Sequence, residues 1–402
     1  MGNTTLDLAG LASMDTADAA RLLKGVRDAT LSGRRPRWDP RADISASWER
    51  MLRCGVDPDR DRRAGLLPLE EIERRRLASP LRDVLPVLRE GLVATAEAAQ
   101  HIMVVADAEG RLLWREGSAA VLRKGDAHGF VLGADWTESV VGTNGVGTAL
   151  VSRRPVQVHS AEHFVSTHHT WTCAGAPITD PRDGRLLGVV DVSGPLSSMH
   201  PGTLSLVTSV ARLAEAELRV RHLAALDRLR TVAAPLLARL PGRALAVDAE
   251  GWPAAVTGMP PPDGRLPLPK TVRTGRLWLP GLGPCAAEPL PGGWLLRVAE
   301  SPGAGRVVLD LRRPHAPKVT VSGGSGEWAH ELTPRHADIL RALAVHREGH
   351  SAAELAREVF GDPARTVTVR AEVSRLRRRL SPILAHRPYR FADHLEVVLL
   401  CP

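Results

Sequence analysis

The sequence predicts an α+β protein built from several domains. Three observations carry that expectation. Apolar residues recur at helical spacing up to about residue 100. Short apolar runs parted by Gly, Asp and Pro follow over 101–200. The last hundred residues return to three capped helical patterns and then two short strand patterns. A chain of 402 residues suits two to four domains, each able to bury its own core.

The helical start divides in two. Residues 1–35 read as partly helical. In residues 36–100, Asp43 offers a polar start before Ile44-Ser45-Ala46-Ser47-Trp48, and Leu81, Val84, Leu85, Leu88, Leu92 and Val93 recur by threes and fours. Ile102–Asp107 then reads as a strand, 108–110 as a turn, and Arg111–Trp114 as its hairpin partner. Val156–His159, Cys173–Ile178 and Leu187–Val192 are further strands, the last after the turn Asp180-Pro181-Arg182-Asp183-Gly184. A long amphipathic helix is expected from Gly202 to about Leu229, with Leu206, Val210, Leu213, Ala214 and Leu218 inward. The sheet is expected to bury one face under helices and turn the other toward the long connections of 115–170. Residues 240–304 are rich in Pro and Gly, with apolar runs at Ala244–Val247 and Trp294–Val298. They suit a small β-rich module, PAS-like in pattern, or an irregular linker. The domain boundaries are therefore set at 1–100, 101–230, 231–304 and 305–402.

Composition narrows the class. Hydrophobic residues make up 44% and charged residues 24%, ordinary for a globular soluble chain. No run of eighteen apolar residues and no basic, apolar leader occurs, so neither a membrane span nor a signal peptide is expected, and the cytoplasm is the expected location. Cys54, Cys173, Cys285 and Cys401 stand singly, which argues against a zinc ribbon or a disulfide framework. The net charge of +8 permits nucleic-acid binding, and its placement matters more than its size.

That placement is informative near the C-terminus. Thr333-Pro334 caps one helix, and Ser351 with Glu354 forms a capping box for a second, stopped by Gly361-Asp362-Pro363. In a third, starting near Arg365, Val369, Val373, Leu376 and Leu380 share a face. Thr368, Ala371, Ser374, Arg375 and Arg378 lie opposite, flanked by Arg370, Arg377 and Arg379. Small and basic residues outward, aliphatic residues inward, suit a helix entering a major groove. Arg387–Phe391 and Leu395–Leu399 read as a hairpin. The stretch resembles the OmpR-type winged helix-turn-helix, with Pro388-Tyr389 where that family usually has Gly-Tyr. The resemblance implies contacts to double-stranded DNA from Thr368, Arg370, Ala371, Ser374, Arg375, Arg377 and Arg378, and from Arg387 and Arg390 in the wing.

The run Val141-Gly142-Thr143-Asn144-Gly145-Val146-Gly147 is Gly-rich yet matches neither a P-loop nor a dinucleotide fingerprint, and no Walker A motif occurs. Together with Pro155–Val158, Glu162-His163-Phe164, His168–Ile178 and Gly188–Gly194, and with Ile44–Arg50 and Gly55–Pro58 upstream, it resembles the GAF sensor region of bacterial acetoin-catabolism (AcoR-type) activators. Those relatives usually carry a central ATPase, which has no counterpart in this sequence. The resemblance implies a GAF-like sheet with helices, a bound small-molecule effector and a non-enzymatic role.

Trp136, Asn144, His169, Trp171 and Cys173 are the expected effector contacts. The Trp rings offer apolar walls, and Asn144 can donate and accept. No cofactor, metal or catalytic residue is assigned. The leading expectation is a one-component transcription regulator that acts as a homodimer, with RNA polymerase as a candidate partner. Three alternatives stay open: a redox- or metal-responsive regulator using Cys173 and His168, an enzyme using Asp180, Asp191, His168 and Cys173, and a scaffold that does not bind DNA.

Overall fold

In the computed structural model, residues 6–59, 65–98, 100–198, 200–269, 271–299, 305–323, 326–380, 383–393 and 395–401 are described. They form two units, Met1–Arg221 and His222–Pro402.

The first unit opens with helices α1 (Leu8–Ala12), α2 (Thr16–Leu31), α3 (Ala42–Arg53), α4 (Leu69–Ala78) and α5 (Leu81–Ala98). Strands β1 (Ile102–Asp107) and β2 (Leu112–Gly117) follow, then helices α6 (Ala119–Ala127), α7 (Glu138–Val141) and α8 (Gly145–Ser152). Strands β3 (Val156–His159), β4 (Trp171–Thr179) and β5 (Leu186–Pro195) complete an antiparallel sheet of order β2-β1-β5-β4-β3. Helix α9 (Thr203–Leu237) begins here and runs on past the unit boundary.

Strand alternation sends side chains to both faces of the sheet. Met103, Val105, Ala174, Ala176, Val190 and Val192 pack with α5 and the first turns of α9. On the other face, Ile102, Val104, Ala106 and Val189 pack with α6 and α8. Val156, Val158 and Cys173 pack with α1, α2 and α3. The second face is thus turned toward residues 115–170 as expected, but helices α6, α7 and α8 there cover it where long connections were expected. A second correction concerns α9. Val207, Val210, Ala211 and Ala214 are buried, whereas Leu213 is 57% exposed.

The second unit starts with the rest of α9. Leu226, Leu229, Ala233 and Leu237 pack on Ala244, Ala246 and Leu295 of a second antiparallel sheet. Its strands are β6 (Ala244–Asp248), β7 (Pro253–Thr257), β8 (Gly275–Leu279), β9 (Gly283–Leu290) and β10 (Gly293–Val298), in the order β7-β6-β10-β9-β8. This is the strand order of the first sheet.

The likeness extends to single atoms. Asp107-Ala108-Glu109-Gly110 recurs as Asp248-Ala249-Glu250-Gly251. Asp107 Oδ1 accepts from Glu109 N (3.1 Å) and Arg111 N (2.9 Å), and Asp248 Oδ1 accepts from Glu250 N (3.0 Å) and Trp252 N (2.8 Å). Both glycines hold positive φ, +80° and +95°, which favours Gly at that position of each turn.

The remaining residues form strands β11 (Gly305–Asp310), β12 (Lys318–Gly323) and β13 (Gly326–Glu331), then helices α10 (Pro334–Val345), α11 (Ala352–Phe360) and α12 (Thr366–Leu380). Strands β14 (Leu384–Ala385), β15 (Arg390–Phe391) and β16 (Leu395–Leu400) end the chain. The caps follow the sequence signals. Thr333 accepts from His336 N at 3.2 Å, and Ser351 and Glu354 bond reciprocally at 2.7 and 3.3 Å. Gly361 closes α11 at φ +68°.

The expected hairpin of 387–391 with 395–399 is not formed. β15 pairs with β14, and β16 runs parallel to β11 in the sheet β13-β12-β11-β16. Apolar alternation explains the change. Leu395 is buried, and Val397 and Leu399 lie against the core beneath the helices, a burial that a two-strand hairpin in solvent would not supply.

Candidate functional site

Two places concentrate chemistry, one in each unit. In the first unit, His128, Phe130, Trp136, His163, His168, Trp171, Cys173 and Ser193 enclose a cavity of about 20 Å³. That is close to the space of one water molecule. Its rings meet edge to face: Phe130 and Trp136 at 4.4 Å between centroids, and His128 and Trp171 at 5.5 Å. His168 sits 5.4 Å from Trp136.

The polar side of the cavity is ordered by one proton. His163 Nδ1 lies 2.9 Å from Ser160 O, a carbonyl that can only accept, so Nδ1 carries hydrogen. Nε2 then accepts from the Cys173 thiol at 3.2 Å. Burial pushes the imidazole well below its ordinary range and pushes the thiol up, so both stay neutral. Beside them Asp191 is fully buried and accepts from the Ser193 hydroxyl. Burial pushes its carboxyl up to about 7.

The glycine-rich run has a structural explanation. A Cβ at Gly145 would collide with Asp191 Oδ1 and Cys173 Cβ, and one at Gly175 would collide with Gly145 O. Asn144 caps α8. Its carbonyl accepts from Val146 N and Gly147 N, both at 2.9 Å, and its amide donates to Gly142 O (2.8 Å) and Trp136 O (3.1 Å). All its hydrogen-bonding capacity is spent on backbone. Of the expected effector contacts, Trp136, Trp171 and Cys173 therefore line the cavity, and Asn144 does not. His169 also lies outside, with Nε2 3.2 Å from His163 O, and burial followed by the nearby Arg27 lowers its pKa to about 4.

Sequence reading missed the residues that hold the cavity walls. Arg50 grips Glu138 with two bonds of 2.8 Å, and Ser47 donates to the same carboxylate at 2.6 Å. Arg41 grips Glu162 at 2.8 and 2.6 Å, and Trp48 Nε1 donates to Glu162 O at 2.9 Å. Glu138 follows Trp136 by two residues, and Glu162 precedes His163. Helix α3 and the residue before it thus clamp both walls. The signal was present in Ser47-Trp48-Glu49-Arg50, but the acidic partners are about ninety and 120 residues away in sequence.

In the second unit, α12 buries Val369, Val373, Leu376 and Leu380. Arg370, Ala371, Ser374 and Arg375 are exposed, and Thr368 and Arg377 are half-buried. The side chain of Arg378 lies outside the described residues. Arg370, Ser374, Arg377 and Arg387 share a cleft with His350 and Tyr389, open between α12 and the β14–β15 turn. Arg375 is directed elsewhere. It bonds Glu372 at 2.8 Å, and His336 reaches that carboxylate at 3.0 Å. Arg390 is paired with Asp393. Val367, in the first turn of α12, is 75% exposed and was not singled out from sequence.

Residues 26–215 match the family described as MimR, N-terminal domain. The chain is 34% identical over 183 residues to the acetoin dehydrogenase operon transcriptional activator AcoR of Bacillus subtilis, covering 45% of this chain and 30% of that one. It is 30% identical over 212 residues to the propane 2-monooxygenase operon transcriptional activator MimR of Mycolicibacterium smegmatis, covering 52% and 35%. An uncharacterized 47.3 kDa protein in the thcA 5′ region of Rhodococcus erythropolis is 32% identical over 351 residues, 87% of this chain and 63% of that one. The chain spans less than two thirds of the length of each of these relatives. The AcoR and MimR relatives are named as transcriptional activators, and residues 26–215 are similar to a domain described as N-terminal in MimR. Among the described residues no helix is long and apolar enough to cross a membrane.

Proposed function

We propose that the chain is a one-component transcription regulator: a GAF-type sensor takes a small neutral effector, and an OmpR-type winged helix binds double-stranded DNA. The observation that carries this reading is α12, whose inner face is aliphatic and whose outer face presents Arg370 and Ser374, basic and small side chains suited to a major groove. The cleft shared by Arg370, Arg377 and Arg387 suits a phosphate backbone.

The cavity bounds the effector. Its walls are aromatic, its imidazole and thiol are neutral, and its volume is close to that of one water molecule, so a small effector enters only as the ring walls part. A nucleotide is too large and too charged for it. Trp136, Trp171 and Cys173 are the proposed contacts, with Asn144 and His169 supporting from outside. The buried, neutral thiol speaks against Cys173 as a thiolate redox switch. No nucleophile is paired with an ionised base in the cavity, so the reading is non-enzymatic.

An occupant would press on β4 and β5, which form the far wall and whose opposite face packs on α9. Leu213, Val220 and Leu223 of α9 are exposed at spacings of seven and three, which suits pairing with a second copy. The proposed assembly is a cytoplasmic homodimer that contacts RNA polymerase at its promoter. Fluorescence anisotropy of the full chain on duplex DNA from upstream of its own coding sequence tests the reading. Binding should fall steeply with salt, by about one unit of log–log slope per phosphate contacted. Equal affinity for an unrelated duplex and for this one across a salt series would reject specific recognition.

A further inference from the structure

We propose that His346, His350 and Glu358 form a binding site for a divalent transition-metal ion, with Zn2+ the best fit. The three donor atoms lie within 4.8 Å of one another. His350 Nε2 is 2.8 Å from Glu358 Oε2, and His346 Nε2 is 3.7 Å from the same oxygen. Two imidazoles and a carboxylate are a donor set that zinc takes with three protein ligands and an open fourth position.

The fold brings these residues together from three directions. His346 caps the C-terminus of α10, His350 follows a turn through Gly349 at φ +96°, and Glu358 stands on α11. The two imidazole rings are 4.5 Å apart between centroids. Backbone bonds of 2.9 Å in each direction tie His350 to Tyr389, so the turn is fixed at both ends. A Cβ at Gly349 would press within 2.9 Å of Tyr389 O and Pro388 Cγ, so the close approach of this turn to Pro388-Tyr389 requires glycine.

An outer carboxylate sets the imidazole for metal. Glu348 Oε1 lies 3.3 Å from His346 Nδ1. When Nδ1–H donates to Glu348, the neutral ring presents the Nε2 lone pair toward Glu358 Oε2. A lone pair then faces a carboxylate oxygen, and a cation between them relieves the repulsion. This carboxylate–imidazole arrangement is the support that metal-ligating histidines usually have. The His350 side chain is 13% exposed and Glu358 is 30% exposed, so an ion can enter from solvent.

The test is zinc competition against a chromogenic chelator, using the full chain stripped of metal. The wild type should bind one Zn2+ at this site with sub-micromolar affinity. His346→Ala with His350→Ala should weaken that binding at least a hundredfold. Glu358→Gln, a partly exposed change that should leave the fold intact by circular dichroism, should weaken it about 10- to 100-fold. His163→Ala with Cys173→Ser, at the other histidine cluster, should leave it unchanged. No uptake by the wild type at 100-fold excess zinc, undiminished uptake in the Glu358→Gln chain, or loss confined to the His163→Ala/Cys173→Ser chain would each overturn the assignment.

Discussion

Replacing Asn144 by alanine separates a structural role from a ligand-contacting one. The substitution removes an N-cap that serves two backbone N–H groups and leaves Gly142 O and Trp136 O without their amide donor, all in a fully buried position. Loss of a cap costs about 1 kcal/mol, and each buried group left unsatisfied costs about 1–3 kcal/mol. A sum of at least about 3 kcal/mol is expected, and the small cavity left behind, which relaxes only in part, adds to it. Native-state hydrogen exchange on the full chain reads this locally, at the amides of Val146 to Ala149. Their opening free energy should fall by about 3 kcal/mol, while protection in α12 stays the same. Asn144→Asp keeps the cap and loses the donors, so it should lose part of that stability. A loss below 1 kcal/mol in Asn144→Ala, or an equal loss spread over α12, would refute this accounting.

Further outcomes follow from the same structure. Arg50→Ala leaves the Glu138 carboxylate buried without its ion pair and should destabilise the first unit by about 3–5 kcal/mol in urea titration. The Asp191 carboxyl, held up to about 7 by burial, binds its proton more tightly folded than unfolded. It therefore stabilises most below pH 4, and that contribution is lost as pH rises toward 7, at a slope of up to about 1.4 kcal/mol per pH unit. Asp191→Asn should remove this slope, and identical pH–stability curves for the two chains would dismiss it. Val220→Glu with Leu223→Glu should convert the proposed dimer to monomer by sedimentation, and no change in mass would count against this interface.

How much of this was legible depends on the range of the interaction involved. Local signals carried through. The Thr333 and Ser351 caps, the Val369-Val373-Leu376-Leu380 stripe and the Ile102–Asp107 strand all rest on neighbours within a few residues. Long-range pairing did not. The partner of β16 is β11, about ninety residues earlier, and no turn signal specifies a parallel crossover of that length. Leu213 followed a helical pattern that fits either face of a long helix, and only packing against the sheet chose Val207, Val210, Ala211 and Ala214. Asn144 and Trp136 are eight residues apart and looked like joint contacts of one effector. The side-chain amide instead spends one donor on the backbone of Trp136, which geometry alone could reveal. The Arg50–Glu138 and Arg41–Glu162 pairs were hidden for the same reason, because charge pairing across a fold leaves no mark on spacing.

The proposed reading of DNA by α12 has a direct test. Selection of random duplexes by the full chain at physiological salt, followed by sequencing, tests it most directly. A recurrent sequence is expected, bound about 1–3 kcal/mol more weakly by a folded Arg370→Ala chain, with the strongest loss at one or two base positions. Duplexes recovered without any common sequence, or a common sequence bound equally by Arg370→Ala, Arg377→Ala and the parent, would contradict it.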